Sequence, residues 1–261
     1  MTPPETVPQP KSKHYLFGLL CLAAVLHCRA GLVEVVANAK RSVAAVGTYN
    51  ALANPRFTFQ GTGFVVGDGN LLITNAHVLG DPGKVDVPTS VVIQLTSASG
   101  SIETRPATVA ALDRDHDLAL LRFAGSALPA LTIAQRSEAR EGMSVAFIGF
   151  PIGGLLGFTP VTHRGIISSI TAVALPTPNS QQLNDKTVRR LRQGSFDIYQ
   201  LDATAYPGNS GGPLLDAETG AVVGVMNMVL VKGTKESALS QPTGISYAIP
   251  ARFVEDLIGR K

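Results

Sequence analysis

Short apolar runs of strand length, separated by Gly, Pro, Asn and Asp, limit what this chain can fold into more than any other feature. They fall at 42–48, 61–66, 71–74, 91–95, 104–112, 118–123, 144–150, 165–170, 198–202, 221–228 and 244–249. The second and third flank Gly67-Asp68-Gly69-Asn70, a hairpin pattern with Asp-Gly at its turn. Helical patterning is confined to the ends of the chain. Residues 31–40, with Val33, Val35 and Val36, read as a short helix, and 252–258 read as a terminal helix with Pro250 near its start. Hydrophobic residues at 45%, charged residues at 16%, and 26 Gly with 17 Pro describe a turn-rich globular protein. The expectation is a mainly antiparallel β fold, and 261 residues suffice for one large domain or two small ones. A loop-like stretch between Phe123 and Gly142 divides the chain into halves at 31–140 and 141–261. Residues 175–195, rich in Pro, Asn and charge without periodicity, read as a mobile, regulatory loop.

The first thirty residues read as a targeting segment. Lys11, Lys13 and His14 form a basic region, 15–26 an apolar stretch, and Cys28-Arg29-Ala30 a small-residue cleavage site before Gly31. The apolar stretch is shorter than the ~20 residues that span a bilayer, so export to the periplasm or medium is preferred over an anchor formed by residues 15–28. Lipidation of Cys28 is disfavoured, because His27 stands where a small residue is expected. Both cysteines, Cys21 and Cys28, leave with this segment, so the mature domain is expected to rely on its core and not on disulfides. Without these residues nineteen basic side chains face eighteen acidic ones, a net +1. The only dense basic run, Arg189, Arg190 and Arg192, reads as a solvated loop, and nucleic acid is not an expected partner.

Three local patterns carry chemistry. In Pro207-Gly208-Asn209-Ser210-Gly211-Gly212-Pro213 the glycines permit a tight turn that exposes a hydroxyl. The same turn lets the Gly208 and Ser210 N–H groups converge as an oxyanion hole. Taken alone it is also a plain glycine-rich turn. A Ser hydroxyl needs a base, and His77 follows the apolar run 71–74, where its ring can project into a cleft or serve as a structural histidine. The acid that orients the base is read as Asp117, which adjoins the apolar run 118–121. Asp113 and Asp115 are close neighbours, and any of the three can cap a turn. A metal site at Asp115-His116-Asp117 is discounted, because successive residues on a strand point to opposite faces. No cofactor is expected.

Gly61-Thr-Gly-Phe-Val-Val, Thr74-Asn-Ala-His77-Val, Asp117-Leu-Ala-Leu-Leu, Gly208-Asn-Ser210-Gly-Gly-Pro-Leu and Gly244-Ile-Ser-Tyr-Ala-Ile-Pro250 occur in this order. In this the chain resembles the HtrA/Deg branch of chymotrypsin-fold serine proteases. The resemblance implies two packed six-stranded antiparallel β-barrels and a short C-terminal helix. The first barrel would contribute His77 and Asp117, and the second Ser210. It implies a serine endopeptidase acting on proteins or peptides, unfolded or damaged ones among them, through an acyl-enzyme. A catalytically silent or latent chaperone on the same fold is the alternative. It places Thr204, six residues before the nucleophile, near the base of the S1 pocket, with Ala205, Asn227, Val229 and Leu230 along its walls. No acid stands there, so small or medium apolar P1 side chains are expected. The chain ends at Lys261, about where such a protease domain ends, without the PDZ domain that often follows. A homotrimer is implied by the family, although its contacts are not recognisable in this sequence.

Overall fold

A computed structural model describes residues 31–80, 90–96, 101–135, 139–153, 158–172, 196–227 and 244–260. The targeting segment, the 175–195 loop, Val229 and Leu230 lie outside the described residues. Helix α1 (Leu32–Lys40) leads into β1 (Val43–Tyr49), β2 (Phe57–Val66), β3 (Leu71–Asn75), a single 3-10 turn (Ala76–Leu79), β4 (Ser90–Thr96), β5 (Ile102–Asp113) and β6 (Leu118–Phe123). These strands close into one barrel in the order β1-β2-β3-β6-β5-β4. The second half runs through β7 (Ser144–Gly149), β8 (Val161–Ala172), β9 (Asp197–Asp202), β10 (Pro213–Asp216), β11 (Val222–Met226) and β12 (Ile245–Pro250) to helix α2 (Arg252–Gly259). It closes in the order β10-β11-β12-β9-β8-β7. The expected architecture of two six-stranded antiparallel barrels and a C-terminal helix is present. Sequence patterning did not separate β10 from the glycine-rich turn before it, because its apolar content is only Leu214 and Leu215 behind Pro213. Among the described residues no helix is long and apolar enough to cross a membrane.

The strands read as continuous apolar runs because many of them bury both faces. Side chains alternate across a strand. In β2 Phe64 and Val66 point into a cluster that also holds residues of β7, β10, β11 and β12, while Val65 points into the interior of the first barrel. The same alternation sends Leu71 and Ile73 one way and Leu72 the other, and it separates Leu120 from Leu121. In the second barrel Ile148 and Leu215 face the shared cluster, whereas Phe147 and Leu214 fill that barrel's own interior. Val35 and Ala39 of α1, with Val254 and Leu257 of α2, join the shared cluster as well. The fold therefore has three apolar cores, one inside each barrel and one between them. The third fixes how the barrels face each other.

Phe64 is completely buried in that third core. Phe64→Ala is expected to cost about 3–5 kcal/mol of folding stability, measured as the shift in urea midpoint at unchanged slope. A loss under about 1 kcal/mol would show that the inter-barrel core is not closely packed there.

Candidate active site

His77 sits on the 3-10 turn that follows β3, so its ring leaves the first barrel at a turn and not at the strand end itself. Its Nδ1 lies 2.6 Å from Asp117 Oδ2, and its backbone N–H donates to Asp117 Oδ1 at 2.9 Å. A carboxylate only accepts, so Nδ1 is the protonated nitrogen and the neutral ring keeps its lone pair on Nε2. Asp117 adopts φ 53, the left-handed region that Asp tolerates better than most residues. Its carbonyl there accepts the Ala76 N–H at 3.1 Å and the Asn75 side-chain amide at 3.0 Å. The side chains of His77 and Asp117 are 29% and 27% exposed, so the acid is partly open to solvent.

A third group comes from the second barrel. Asn227, just past the end of β11, is completely buried and donates Nδ2 to Asp117 Oδ2 at 2.8 Å. Read from sequence, Asn227 belongs on the wall of the S1 pocket. In the structure its amide is held by Asp117, and this is the residue whose role sequence reasoning missed. No local pattern could have revealed it, since 110 positions separate the two.

Ser210 is 5% exposed and lies in a turn held from several directions. Its carbonyl accepts the Thr62 N–H at 2.8 Å, and the Gly211 N–H donates to the Met226 carbonyl at 2.9 Å, one residue before Asn227. Gly211 has φ 84, and a Cβ there would stand 2.1 Å from the Thr62 carbonyl and 2.5 Å from Thr74 Oγ1. Gly208 has φ 103, and a Cβ there would stand 2.2 Å from the Phe150 carbonyl. Only glycine fits either place. The turn thus lies against Thr74 and Asn75, the residues leading to His77, and against β11, which ends at Met226 just before Asn227.

A second histidine–carboxylate pair is formed by His116 and Asp113. His116 Nδ1 is 3.0 Å from Asp113 Oδ2, and its ring stacks on Phe253 of α2 at 3.8 Å. Arg260 also contacts Asp113 at 3.1 Å. This pair anchors the C-terminal helix to the first barrel. Burial pushes the Asp113 carboxyl up, but hydrogen bonds from the His116 ring and backbone, with the charges of His116 and Arg260, hold it below its usual range. An acid held down in this way stabilises the fold above its unfolded value, about 3.9, and the contribution is lost as pH falls through the lower folded value. Asp113→Asn is therefore expected to weaken the protein at neutral pH, with the gap to wild type narrowing as the pH drops below about 4 in urea denaturation. An equal gap at both pH values would refute it.

Of the remaining expected site residues, Thr204 is half-buried and Ala205 packs in the interior of the second barrel with Phe147 and Met226. His163 stacks on Phe147 with ring centroids 4.8 Å apart, and burial pushes its pKa down.

Two closed six-stranded barrels, with a His–Asp pair on the first and a Gly-Asn-Ser-Gly-Gly turn on the second, define the chymotrypsin-fold class. Residues 61–225 match the trypsin-like peptidase domain family. The chain belongs to that family, as an HtrA-like protease domain. Its relatives include the proteins named serine protease HTRA2, mitochondrial, of Drosophila pseudoobscura pseudoobscura and Drosophila persimilis. Each is 32% identical over 201 residues, which cover 77% of this chain and 39% of the relative. The match thus spans well under half the length of these relatives. Among solved structures, HtrA-type protease AlgW with a tripeptide is 25% identical, with a TM-score of 0.61 over 88% of this chain and 62% of that one. Deg5, at 23% identity and a TM-score of 0.60 over 86% and 90% of the two chains, shares the fold.

Proposed function

We propose that the chain hydrolyses peptide bonds with Ser210 as nucleophile, His77 as general base and Asp117 as the group that orients and charges-balances the base. The observation that carries this reading is the His77–Asp117 hydrogen bond, braced across the barrels by Asn227 beside the strand that receives the Ser210 turn. His77 takes the Ser210 proton as the hydroxyl oxygen bonds to the substrate carbonyl carbon, and returns it to the leaving amine. The Gly208 and Ser210 N–H groups hold the oxyanion. Water, deprotonated by the same imidazole, then releases the acyl-enzyme. The test is labelling with a fluorophosphonate probe alongside cleavage of casein. Labelling of the wild type that Ser210→Ala abolishes supports a competent enzyme, and no labelling of folded wild type would leave a silent or latent binding module.

Protein substrates and a small apolar P1 preference are part of the same reading. Thr204 and Ala205 bring no charge to the base of the pocket, and a Lys or Arg side chain buried there would lose its hydration without a partner. Peptides with Val or Ala at P1 are expected to have kcat/KM roughly ten-fold or more above those with Lys or Arg. Library profiling in which cuts cluster after basic residues would defeat this assignment. Export is retained as the destination, because 15–26 is an apolar stretch and not the Arg-rich amphipathic pattern of a mitochondrial leader. The N-terminal sequence of the mature protein and its compartment test that reading, and sedimentation tests the homotrimer that the family suggests.

A further inference from the structure

The turn before Ser210 has two arrangements open to it. The Asn209 N–H donates to the Tyr206 carbonyl at 3.0 Å, with Pro207 second in the turn and Gly208, at φ 103, third. This is a type II turn. A type I turn closes the same hydrogen bond with its third residue near φ −90°, and differs chiefly by a flip of the central peptide. The C=O and N–H of a trans peptide point opposite ways, so the flip reverses the aim of the Gly208 N–H. Glycine accepts both arrangements. Contacts from outside the turn have to choose between them.

Two outside contacts reach the turn: one holds the Gly208–Asn209 peptide, which points the same way in both arrangements, and the other holds the Pro207 carbonyl, whose direction separates them. The Thr62 hydroxyl donates to the Gly208 carbonyl at 2.6 Å and accepts the Phe150 N–H at 3.1 Å. The Ile152 N–H donates to the Pro207 carbonyl at 2.7 Å. Ile152 makes this contact at φ 58, a conformation that β-branched residues avoid. Thr62 is completely buried with every polar group engaged, because its N–H donates to the Ser210 carbonyl at 2.8 Å and its carbonyl accepts the Thr74 hydroxyl at 2.7 Å. It therefore grips the turn at Gly208 and again at Ser210, on either side of Asn209.

We propose that Thr62 is a positioning residue that presets the oxyanion turn. Its hydroxyl on the Gly208 carbonyl and its N–H on the Ser210 carbonyl fix where the turn sits, while the Ile152 N–H on the Pro207 carbonyl sets which way the Gly208 N–H points, so that this N–H stands where the oxyanion develops. The role rests on the endopeptidase reading above. Thr62→Val keeps the shape and removes the hydroxyl. It is expected to lower kcat by roughly 10- to 100-fold, with KM within about three-fold, because the interaction is made in the transition state. Thr62→Ser keeps the hydroxyl and is expected to restore kcat to within a few-fold of wild type, a rescue that a packing role alone would not give. Thr62→Ala run in parallel preserves the test if the Val variant does not fold, with thermal melts as the control. A crystal structure of the folded apolar variant is expected to show the Gly208 carbonyl moved from its place beside residue 62, carrying the Gly208 N–H with it. Wild-type kcat in that variant, failure of the Ser variant to rescue, or an unchanged turn would overturn the proposal. If the wild type shows no Ser210-dependent cleavage, the endopeptidase reading fails, and the turn seen in the variant still decides what Thr62 does.

Discussion

Ser210→Ala is expected to lower kcat by about 10⁶-fold while leaving the fold and KM near those of wild type. The methyl group fits where the hydroxyl was, because the turn is held by backbone contacts: the Thr62 N–H on the Ser210 carbonyl and the Gly211 N–H on the Met226 carbonyl. What disappears is the oxygen proposed to bond to the substrate carbonyl. The oxyanion donors and the cleft remain, so a residue of about 10³- to 10⁴-fold over uncatalysed hydrolysis is expected to survive. Single-turnover assays on a fluorogenic peptide read both quantities. A loss of ten-fold or less would mean that another nucleophile does the chemistry.

The second large effect is expected from Asp117→Asn, about 10⁴-fold in kcat, the scale known for this constellation on the same fold. Both carboxylate oxygens accept: Oδ1 from the His77 backbone N–H, and Oδ2 from the His77 ring and from Asn227. An amide at this position has one acceptor and one donor. Turned one way, its NH₂ meets the His77 backbone N–H, donor against donor. Turned the other way, it meets Nδ1 and Asn227, which favours the tautomer with the proton on Nε2, where the base must be free. In either case the imidazolium formed during attack loses its counter-charge. The measurement is kcat for the pure variant, with a melting curve to show that it is folded. Activity within a few-fold of wild type would remove Asp117 from the mechanism. Asp113→Asn serves as the comparison, since that carboxylate pairs with His116 against α2 and is expected to change stability and not kcat.

The residues proposed for catalysis were legible because each lies in a local pattern. The turn at Ser210 needs positive φ at Gly208 and Gly211, and glycine at those places is visible without coordinates. The apolar runs predicted strands, and where the runs were long the strands are there. The sequence was less clear where one element ran into the next. β10 was absorbed into the turn before it, and His77 proved to sit on a 3-10 turn and not at a strand end. Two histidine–carboxylate pairs exist, and what sets the His77–Asp117 pair apart is the contact from Asn227 of the second barrel.

The sequence by itself determined the strand-rich fold, the backbone freedom of the Ser210 turn and the three residues proposed for catalysis, because those properties depend on side chains and φ preferences within a few positions of each other. Only the tertiary structure decided that Asn227 holds Asp117 and that the Thr62 hydroxyl holds Gly208, across 110 and 146 positions of chain. Such contacts follow from how the core between the barrels sets one against the other. A hydrogen bond is made or lost over a few tenths of an ångström, a distance that no pattern of residues along the chain encodes locally.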